Sequence, residues 1–525
     1  MKQKKLFFIL FLILVIGTIS ACYVTHSNSD QSEMTNTEKQ SEPLSVYVMG
    51  ISNSYTDSEG EKIEYASAVT LGLETTIYMP GYTQGNVMIQ ALLDYGKESN
   101  TEIEITGFSA SPPMLEKLNE AKQQGTAPDL VIVIKQFSDD FHASWLELLK
   151  ESAFEDLTPY LNLASDQYYH TVLRCGRFKE KQYIVPLLFD LNGVITSEEF
   201  LDTIGQDFPD QDTSLEEWIH WLQEICIALQ TDSETLALYE ATSVRESYLL
   251  NVLVAAAGLY GLEDNNSITP EAMAMVLEMM RDFLEQDFMT IPGYEEKSYA
   301  ENSSSMQAKY RRLSGGPSFA EDPLYKRNML GVLLNGGCGG TMINSSFIMQ
   351  AYAMESLYEE ENQTICVGGI PLLGSPRQYA ASARILAFCP AGSDQVEEAG
   401  DLVQYLMDYD YAPEIGISIN RQQVEKDLEE LTHTSKELYI QPVYDPFAQE
   451  AVQEEMFNQS KVMFAPMSEA VAEQLRYLLD HIEGASLPSH RWEVEAQEQL
   501  EAYYMGKVSI EKAATIICET LERKP

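Results

Sequence analysis

Short apolar runs that alternate with long amphipathic segments are the feature of this sequence that most restricts its fold. The runs typical of strands are TTIYM (75–79), EIEITGF (102–108) and DLVIVI (129–134). Between them, residues 86–99 and 114–125 have the apolar spacing of helices, and Gly125 is placed to end the second helix. A β-α-β-α-β order predicts parallel strands with right-handed connections. The chain is therefore expected to have an α/β fold.

The first residues of three later helices also carry signals. Ser214 and Glu217 have the spacing of a capping box. Thr269 followed by Pro270 fits an N-cap and the first helical position. Ser509 fits the N-cap of a last helix. These residues predict that helices begin directly after positions 214, 269 and 509.

The N-terminus has the layout of a secretory signal. Three lysines at positions 2, 4 and 5 precede an apolar run over residues 6–16, and small residues follow. The stretch from 6 to 21 is shorter than the roughly 20 residues that a membrane-spanning helix needs. It ends in ISAC, which resembles the bacterial lipobox, in which the cysteine takes a diacylglyceryl group. Residues 1–21 are thus predicted to be a lipoprotein signal peptide and Cys22 the lipidated residue; the alternative is an incidental cysteine beside an ordinary cleavage site.

Residues 22–45 are expected to be the lipidated cysteine and a flexible linker. Residues 23–43 have few large apolar side chains, so they cannot bury enough surface to offset the entropy of ordering. Two acyl chains hold a protein stably on a bilayer, which predicts a tether on the outer face of the cell membrane. A possible strand, LSVYVMG (44–50), and a polar stretch up to Leu71 follow without an assigned role.

The net charge of the chain disfavours several classes of ligand. The 525 residues include 81 acidic and 34 basic side chains, and loss of the three signal lysines leaves 31 basic residues and a net charge of −50. Such a field disfavours nucleic acids, anionic lipids and polyanions, and it leaves neutral or cationic ligands. At 45% apolar and 22% charged residues, the chain is globular, and its length suits two or more domains.

No metal, cofactor or catalytic motif is expected. The six cysteines besides Cys22 are far apart and form no CxxC, and the seven histidines have no ligand spacing; whether one cysteine pair is oxidised stays open. The acidic pairs 139–140 and 198–199 are adjacent, so their carboxylates diverge. GGCGGT lacks the lysine of a phosphate loop, and neither GxSxG nor HExxH occurs. The chain is therefore not expected to be an enzyme.

The order of segments resembles the family 1 extracellular solute-binding proteins, the maltose-binding-protein-like receptors of ABC importers. The ordered segments are GTAPDLVIV, QYIVPLLFDLNGVITSEEFLDTIGQD, SLEEWIHWLQEI, LLNVLVAAAGLYG, residues 269–287, NGGCGGTMINSSFIM, VGGIPLLG, SDQVEEAGDLVQYLMDY and YYMGKVSIEKAATIICETLER. Together they cover roughly residues 75–523.

The resemblance implies a two-lobed, periplasmic-binding-protein-like fold of type II, with hinge strands between the lobes and a ligand cleft. It implies an N-terminal lobe of residues 46–189 plus 373–457 and a C-terminal lobe of residues 190–372 plus 458–525. Crossings between lobes are expected near 186–191, 370–376 and 456–463. The function implied is capture of a small solute by a monomer for the permease of an ABC transporter, with closure of the lobes around the solute.

A sugar ligand needs aromatic faces for its C–H surface and polar groups for its hydroxyls. The resemblance places a stacking aromatic at Phe347, with packing in the core as the alternative. It places a sugar-hydroxyl ligand at Asp190, with a solvated or helix-capping carboxylate as the alternative. Asn192 lies on the same face as Asp190 if the segment is extended.

Other ligand contacts are expected in loops after the strands. They are Tyr82 after the first strand, and Lys135, Gln136 and Phe137 after the third. Upstream of VAAAGLYG, the resemblance also places an acid-x-aromatic pair of ligand contacts at Glu246 and Tyr248, which point the same way if the segment is extended. A surface glutamate and a core tyrosine remain the alternative for this pair. The aromatic that the family has before its C-terminal helices is replaced by Met467 and Ser468. A carbohydrate or oligosaccharide is the expected ligand; a peptide, a polyamine or another non-sugar solute, or a surface sensor that presents its ligand, are the alternatives.

Overall fold

The computed structural model describes residues 43–49, 54–56, 62–64, 83–108, 111–134, 153–198, 201–202, 205–221, 224, 269–279, 333–335, 346–359, 364–439, 461–487, 498–499, 502–503 and 506–522. All of these residues belong to one unit, Pro43–Pro525.

The described residues form strands and helices in the following order. They are β1 (Leu44–Met49), β2 (Ser54–Thr56), β3 (Lys62–Glu64), α1 (Thr83–Ser99), β4 (Ile103–Phe108), α2 (Ser111–Gln124), β5 (Leu130–Ile134), α3 (His170–Arg174), β6 (Arg177–Phe178), β7 (Lys181–Gln182), β8 (Val185–Leu191), β9 (Gly193–Ser197), α4 (Pro270–Met279), β10 (Leu333–Asn335), α5 (Phe347–Glu359), β11 (Ile365–Gly369), β12 (Pro371–Leu372), β13 (Ser375–Phe388), α6 (Val396–Asp408), β14 (Ile417–Ser418), α7 (Arg421–His433), β15 (Lys436–Tyr439), β16 (Lys461–Phe464), α8 (Glu469–Asp480), β17 (Ile482–Ser486) and α9 (Ile510–Glu522).

The larger sheet has eight strands in the order β14-β8-β13-β5-β1-β4, with β12 and β17 also paired to β13. β1 is parallel to both of its neighbours, so that Val46 lies opposite Ile105 on one side and Leu130 on the other. The predicted strands at 102–108 and 129–134 are confirmed by β4 and β5, and the predicted helices between the runs by α1 and α2. The run at 75–79 lies outside the described residues, and the LSVYVMG segment supplies β1 in the centre of this parallel part.

Burial explains why these strands have continuous apolar runs. All five residues of β5 are buried, and so are five of the six residues of β1. A strand that is covered on both faces loses the apolar-polar alternation of a half-exposed strand. The core around this sheet continues through α1 and α6, which bury Leu92 and Leu402. This core includes Leu44, the first residue of β1.

The predicted helix starts are confirmed. The Ser214 backbone N–H donates to Glu217 Oε2 at 2.8 Å, and the Glu217 N–H donates to Ser214 Oγ at 3.3 Å, which closes the capping box. Thr269 Oγ1 accepts from the Ala272 N–H at the start of α4, and Ser509 Oγ accepts from the Lys512 N–H at the start of α9.

A second, smaller sheet has three antiparallel strands in the order β10-β9-β11. Helix α5 packs on β9 and β11, and α8 packs on β11. The fold is thus mixed α/β, as predicted, with these two main sheets and three two-stranded ones, β2-β3, β6-β7 and β15-β16. β17, from the stretch 458–525, pairs in parallel with β13 of the larger sheet, with Ser486 opposite Ser382. The reason is that β13 is 14 residues long and extends past β5 and β8, which leaves its first half free to pair with β17.

Candidate functional site at the crossing between the sheets

Two strands pass from one sheet to the other side by side. β8 of the larger sheet continues through Asn192 into β9 of the smaller sheet, and β11 of the smaller sheet continues through Ile370 into β12 of the larger sheet. The Ile370 N–H donates to the Asn192 carbonyl at 3.0 Å, and the Asn192 N–H donates to the Ala380 carbonyl of β13 at 3.4 Å. The linking residues Asn192 and Ile370, together with the strand ends that adjoin them, are called the crossing below. Asn192 directly follows the first predicted segment, 186–191, and Ile370 begins the second, 370–376. Of the third predicted segment, 456–463, residues 461–463 are described, and they lie in β16, which pairs with β15.

Glycines let the strands approach closely at the crossing. A Cβ added to Gly193 would lie 2.6 Å from the Gly368 carbonyl oxygen and 2.6 Å from Cζ of Phe347. A Cβ added to Gly369 would lie 2.4 Å from Cδ1 of Tyr379. Neither distance is open to a real side chain without a shift of its neighbours, so both positions require glycine for close approach. Burial raises the pKa of the Tyr379 hydroxyl, which therefore stays protonated at neutral pH.

Asp190 joins three parts of the chain at the end of β8. Its Oδ1 accepts from the Leu191 N–H at 3.0 Å and from the Phe347 N–H at 2.9 Å, and its Oδ2 accepts from Arg384 Nη1 at 3.0 Å. The side chains of Asp190 and Arg384 are 4% and 11% exposed, so this ion pair is buried. A carboxylate at the first N–H of a helix also meets the positive end of the helix dipole. The contacts match the capping alternative for Asp190, and contact with a ligand stays a prediction.

Phe347 is the first residue of α5 and is fully buried. Ser346 precedes it and accepts from the Met349 N–H at 3.3 Å, while its hydroxyl donates to the Pro413 carbonyl at 2.5 Å. The ring points at Gly193, and it belongs to the continuous apolar core of the unit. This placement matches the core alternative, because a ring without exposed surface offers no face to a sugar in this conformation.

Asn192 is 2% exposed and lies in a small polar cluster. Its Oδ1 accepts from Ser382 Oγ at 3.4 Å, and Ser382 Oγ lies 3.3 Å from Ser486 Oγ. Its Nδ2 has no hydrogen-bond partner. Asp190 and Asn192, predicted to lie on one face, are thus both at the crossing, but their side chains have separate partners.

The other predicted site residues lie outside the described residues. They are Tyr82, Lys135, Gln136, Phe137, Glu246, Tyr248 and the lipidation residue Cys22. Of the two residues that replace the family's late aromatic, Met467 is buried and Ser468 caps α8 by accepting from the Val471 N–H. In the described part of the chain, Cys175, Cys366 and Cys389 are free thiols.

Sequence reasoning missed Arg384, Ser382 and Ser486. Arg384 carried a signal, because it is the lone cation within the apolar run AASARILAF, and a cation in a buried strand needs an anionic partner. The two serines carried none, because serine is common in strands and loops of every kind.

A surface groove of about 740 Å³ lies away from the crossing, between α7 and α8. Its cations are already paired: Arg421 contacts Asp480, and Arg476 contacts Glu425, each at 2.9 Å. The groove is open to solvent and its two arginines are already paired with carboxylates, so the crossing is the stronger candidate for a functional site.

The described residues contain neither a metal-ligand cluster nor a membrane-spanning helix. No group of three or more His, Cys, Asp or Glu side chains among them is arranged to hold a metal ion. No helix within the described ranges is long and apolar enough to cross a membrane.

Neither a protein-family model nor a curated protein matches the sequence. The fold is similar to those of solved solute-binding proteins. One is a candidate oligosaccharide periplasmic-binding protein from Synechococcus sp. MITs9220, with 15% identity over 91% of this chain and 98% of that chain and a TM-score of 0.47. A second is an ABC transporter solute-binding protein from Thermotoga lettingae TMO bound with α-D-tagatose, with 13% identity, 92% and 99% coverage and a TM-score of 0.46. A third is an extracellular solute-binding protein of family 1 from Alicyclobacillus acidocaldarius, with 12% identity, 92% and 99% coverage and a TM-score of 0.45.

Proposed function

We propose that this protein captures a small extracellular solute, with a carbohydrate or oligosaccharide as the first choice, for an ABC transporter, and releases it unaltered. The observation that carries the proposal is the crossing: two strands pass between the two sheets next to each other and share one backbone hydrogen bond between Ile370 and Asn192. The ordered segments of the sequence support the same conclusion independently.

The crossing suits a rotation of the two sheets about a short axis. Because both links are single residues that lie side by side, a change in a few backbone dihedrals there can swing one part against the other without breaking either sheet. Closure of two α/β parts around a ligand is a known hinge mechanism, in which a few residues at the ends of elements absorb the motion. A ligand that contacts both parts favours the closed form by its difference in affinity for the two forms.

The same proposal includes the location and the partners. The N-terminal signal and Cys22 support a lipid-anchored protein on the outer face of the cell membrane, tethered by the polar stretch that ends near β1. The permease subunits of an ABC importer are the proposed protein partners, and a monomer is the proposed state because a clamp must open and close. The protein holds its solute without catalysis.

The class of the ligand is the part of this proposal that has an alternative. The net charge of −50 that is left after loss of the three signal lysines admits a polyamine or a cationic peptide as well as a neutral sugar. A surface sensor that presents its ligand to a signalling partner shares the same clamp and differs in its protein partner alone.

Isothermal titration calorimetry with the full-length chain tests the ligand class, with maltotriose, raffinose, trialanine and spermidine as the panel. Binding heat with a sugar at a micromolar Kd, about −8 kcal/mol, is the expected result; heat with trialanine or spermidine alone contradicts the sugar assignment. Small-angle X-ray scattering with the same compounds tests the clamp. A lower radius of gyration on binding is expected, and an unchanged radius with a compound that does bind contradicts closure.

A further inference from the structure

The amide nitrogen of Asn192 is a buried donor without an acceptor. The residue is 2% exposed, and its Nδ2 has no hydrogen-bond partner. Burying an unpaired amide is unfavourable, and such groups in folded proteins are few. An orphaned donor beside a proposed hinge is therefore a feature that points to a missing partner.

The neighbouring hydroxyls are also poorly matched. The Ser382 hydroxyl donates to Asn192 Oδ1 at 3.4 Å, and the Ser486 hydroxyl donates to the Ala381 carbonyl at 3.4 Å, while the two hydroxyl oxygens lie 3.3 Å apart. Each serine hydroxyl has one proton, so only two of these three contacts can be hydrogen bonds at the same time. All three distances exceed the usual 2.7–2.8 Å of an O–H···O bond. The oxygen atoms of this cluster therefore have too few protons to make all three contacts, whereas the N–H protons of Asn192 Nδ2 have no acceptor.

A rotation of the amide does not remove the mismatch. With the Asn192 side chain turned over, Nδ2 donates to Ser382 Oγ, and Oδ1 then becomes the atom without a partner. A hydroxyl group completes either arrangement, because it accepts from Nδ2 or donates to Oδ1. A carbonyl group can only accept a hydrogen bond, so it completes only the arrangement in which Nδ2 is unpaired. An ammonium group can only donate, so it completes only the arrangement in which Oδ1 is unpaired.

We propose that Asn192, Ser382 and Ser486 form a subsite at the crossing that takes one hydroxyl group of the bound solute. The three residues come from three elements: Asn192 links β8 to β9, Ser382 lies in β13 and Ser486 ends β17. Ser382 and Ser486 keep 7% and 8% of their surface exposed, so the cluster is not sealed. The inference rests on the proposed function and makes it more specific: it favours a polyhydroxylated solute over a polyamine.

A buried water molecule is the other source of the same hydroxyl chemistry, and the unfolding midpoint separates the two. If the partner is a ligand hydroxyl, the ligand-free chain loses only one long contact in Asn192→Ala, and its midpoint stays within about 1 °C of wild type. If a resident water is the partner, the variant loses a complete hydrogen-bond network and melts lower. Ser418→Ala is the matched control, since Ser418 is also buried in the larger sheet and accepts from the Asn420 N–H at 3.1 Å.

The second readout is affinity, measured by calorimetry of the full-length chain with maltotriose, raffinose, trialanine and spermidine. Asn192→Ala is expected to weaken binding of a panel sugar at least tenfold, about 1.4 kcal/mol, and Ser382→Ala and Ser486→Ala to weaken it less, while Ser418→Ala leaves it unchanged. Sugar binding at wild-type affinity in Asn192→Ala overturns the subsite and leaves the proposed function standing. If no sugar binds, the proposed ligand class fails, and the midpoint of Asn192→Ala still decides the subsite: a drop equal to that of Ser418→Ala overturns it, and an unchanged midpoint supports it.

Discussion

The ion pair between Asp190 and Arg384 is expected to stabilise the crossing, and Arg384→Met tests this. Methionine keeps most of the aliphatic length of arginine and removes the charge. Because both side chains are almost fully buried, the change leaves a carboxylate in the core without its cation. Removing one partner of a buried pair costs about 3–5 kcal/mol.

The lower end of that range applies here. Asp190 Oδ1 keeps its two backbone donors, the N–H groups of Leu191 and Phe347, so the carboxylate is still partly compensated. We therefore expect a loss of about 3 kcal/mol in the free energy of unfolding. An unfolding entropy of about 2.1 cal/mol/K per residue amounts to roughly 1 kcal/mol/K for a chain of this length, which converts the loss into a midpoint lowered by about 3 °C.

Differential scanning calorimetry at neutral pH measures this midpoint. Arg377→Met is the matched control, because Arg377 makes a two-bond ion pair with Asp212 on the surface, at 2.5 and 2.7 Å, and solvent screens such a pair. A double variant, Asp190→Asn with Arg384→Met, should recover part of the loss, since neither charge is then left alone. If Arg384→Met melts no lower than Arg377→Met, the buried pair does not stabilise the crossing and the reasoning is wrong.

Three further predictions concern packing and pH. Phe347→Ala should lower the free energy of unfolding by about 3–5 kcal/mol, since it empties a fully buried site; urea unfolding measures this, and a stable variant with selectively weakened sugar binding would return Phe347 to the ligand site. Gly193→Ala should also destabilise the fold, and the double variant Gly193→Ala/Phe347→Leu should recover little, because the Gly368 carbonyl still blocks the added methyl group. Burial, with the Asp410 carboxylate as a lesser cause, raises the pKa of Asp427 from 3.8 to about 7. Between pH 3.8 and about 7, the Asp427 carboxyl group binds a proton in the folded state that it has lost in the unfolded chain, so its contribution to stability falls as the pH rises. Asp427→Asn should therefore show a flatter pH dependence of the unfolding midpoint and a higher midpoint at pH 8. Parallel curves for the variant and the wild type would contradict this.

Local features of the sequence predicted the elements well. The capping box at Ser214 and Glu217 and the N-caps at Thr269 and Ser509 are contacts within a single helical turn, so the residues that make them are close in sequence as well as in space. The apolar run of β5 was equally readable, because burial on both faces acts on every residue of the strand.

The crossing was predictable in position but not in its contacts. The segment PLLFDLNG indicated an extended link, and the structure places the change of sheet at Asn192 within it. What Asp190 and Phe347 contact was not predictable, because the sequence was compatible with a ligand contact or with a structural contact for each. The structure gives each of them a structural contact inside the protein.

The sequence alone determined the α/β class, the helix starts, the acidic charge and the short apolar N-terminus, because these depend on composition and on residues a few positions apart. The tertiary structure decided which distant residues share the crossing: Asp190 meets Phe347 across 157 positions and Arg384 across 194. Those meetings are set by strand register and by the total free energy of packing two sheets and their helices, and no local pattern encodes either quantity.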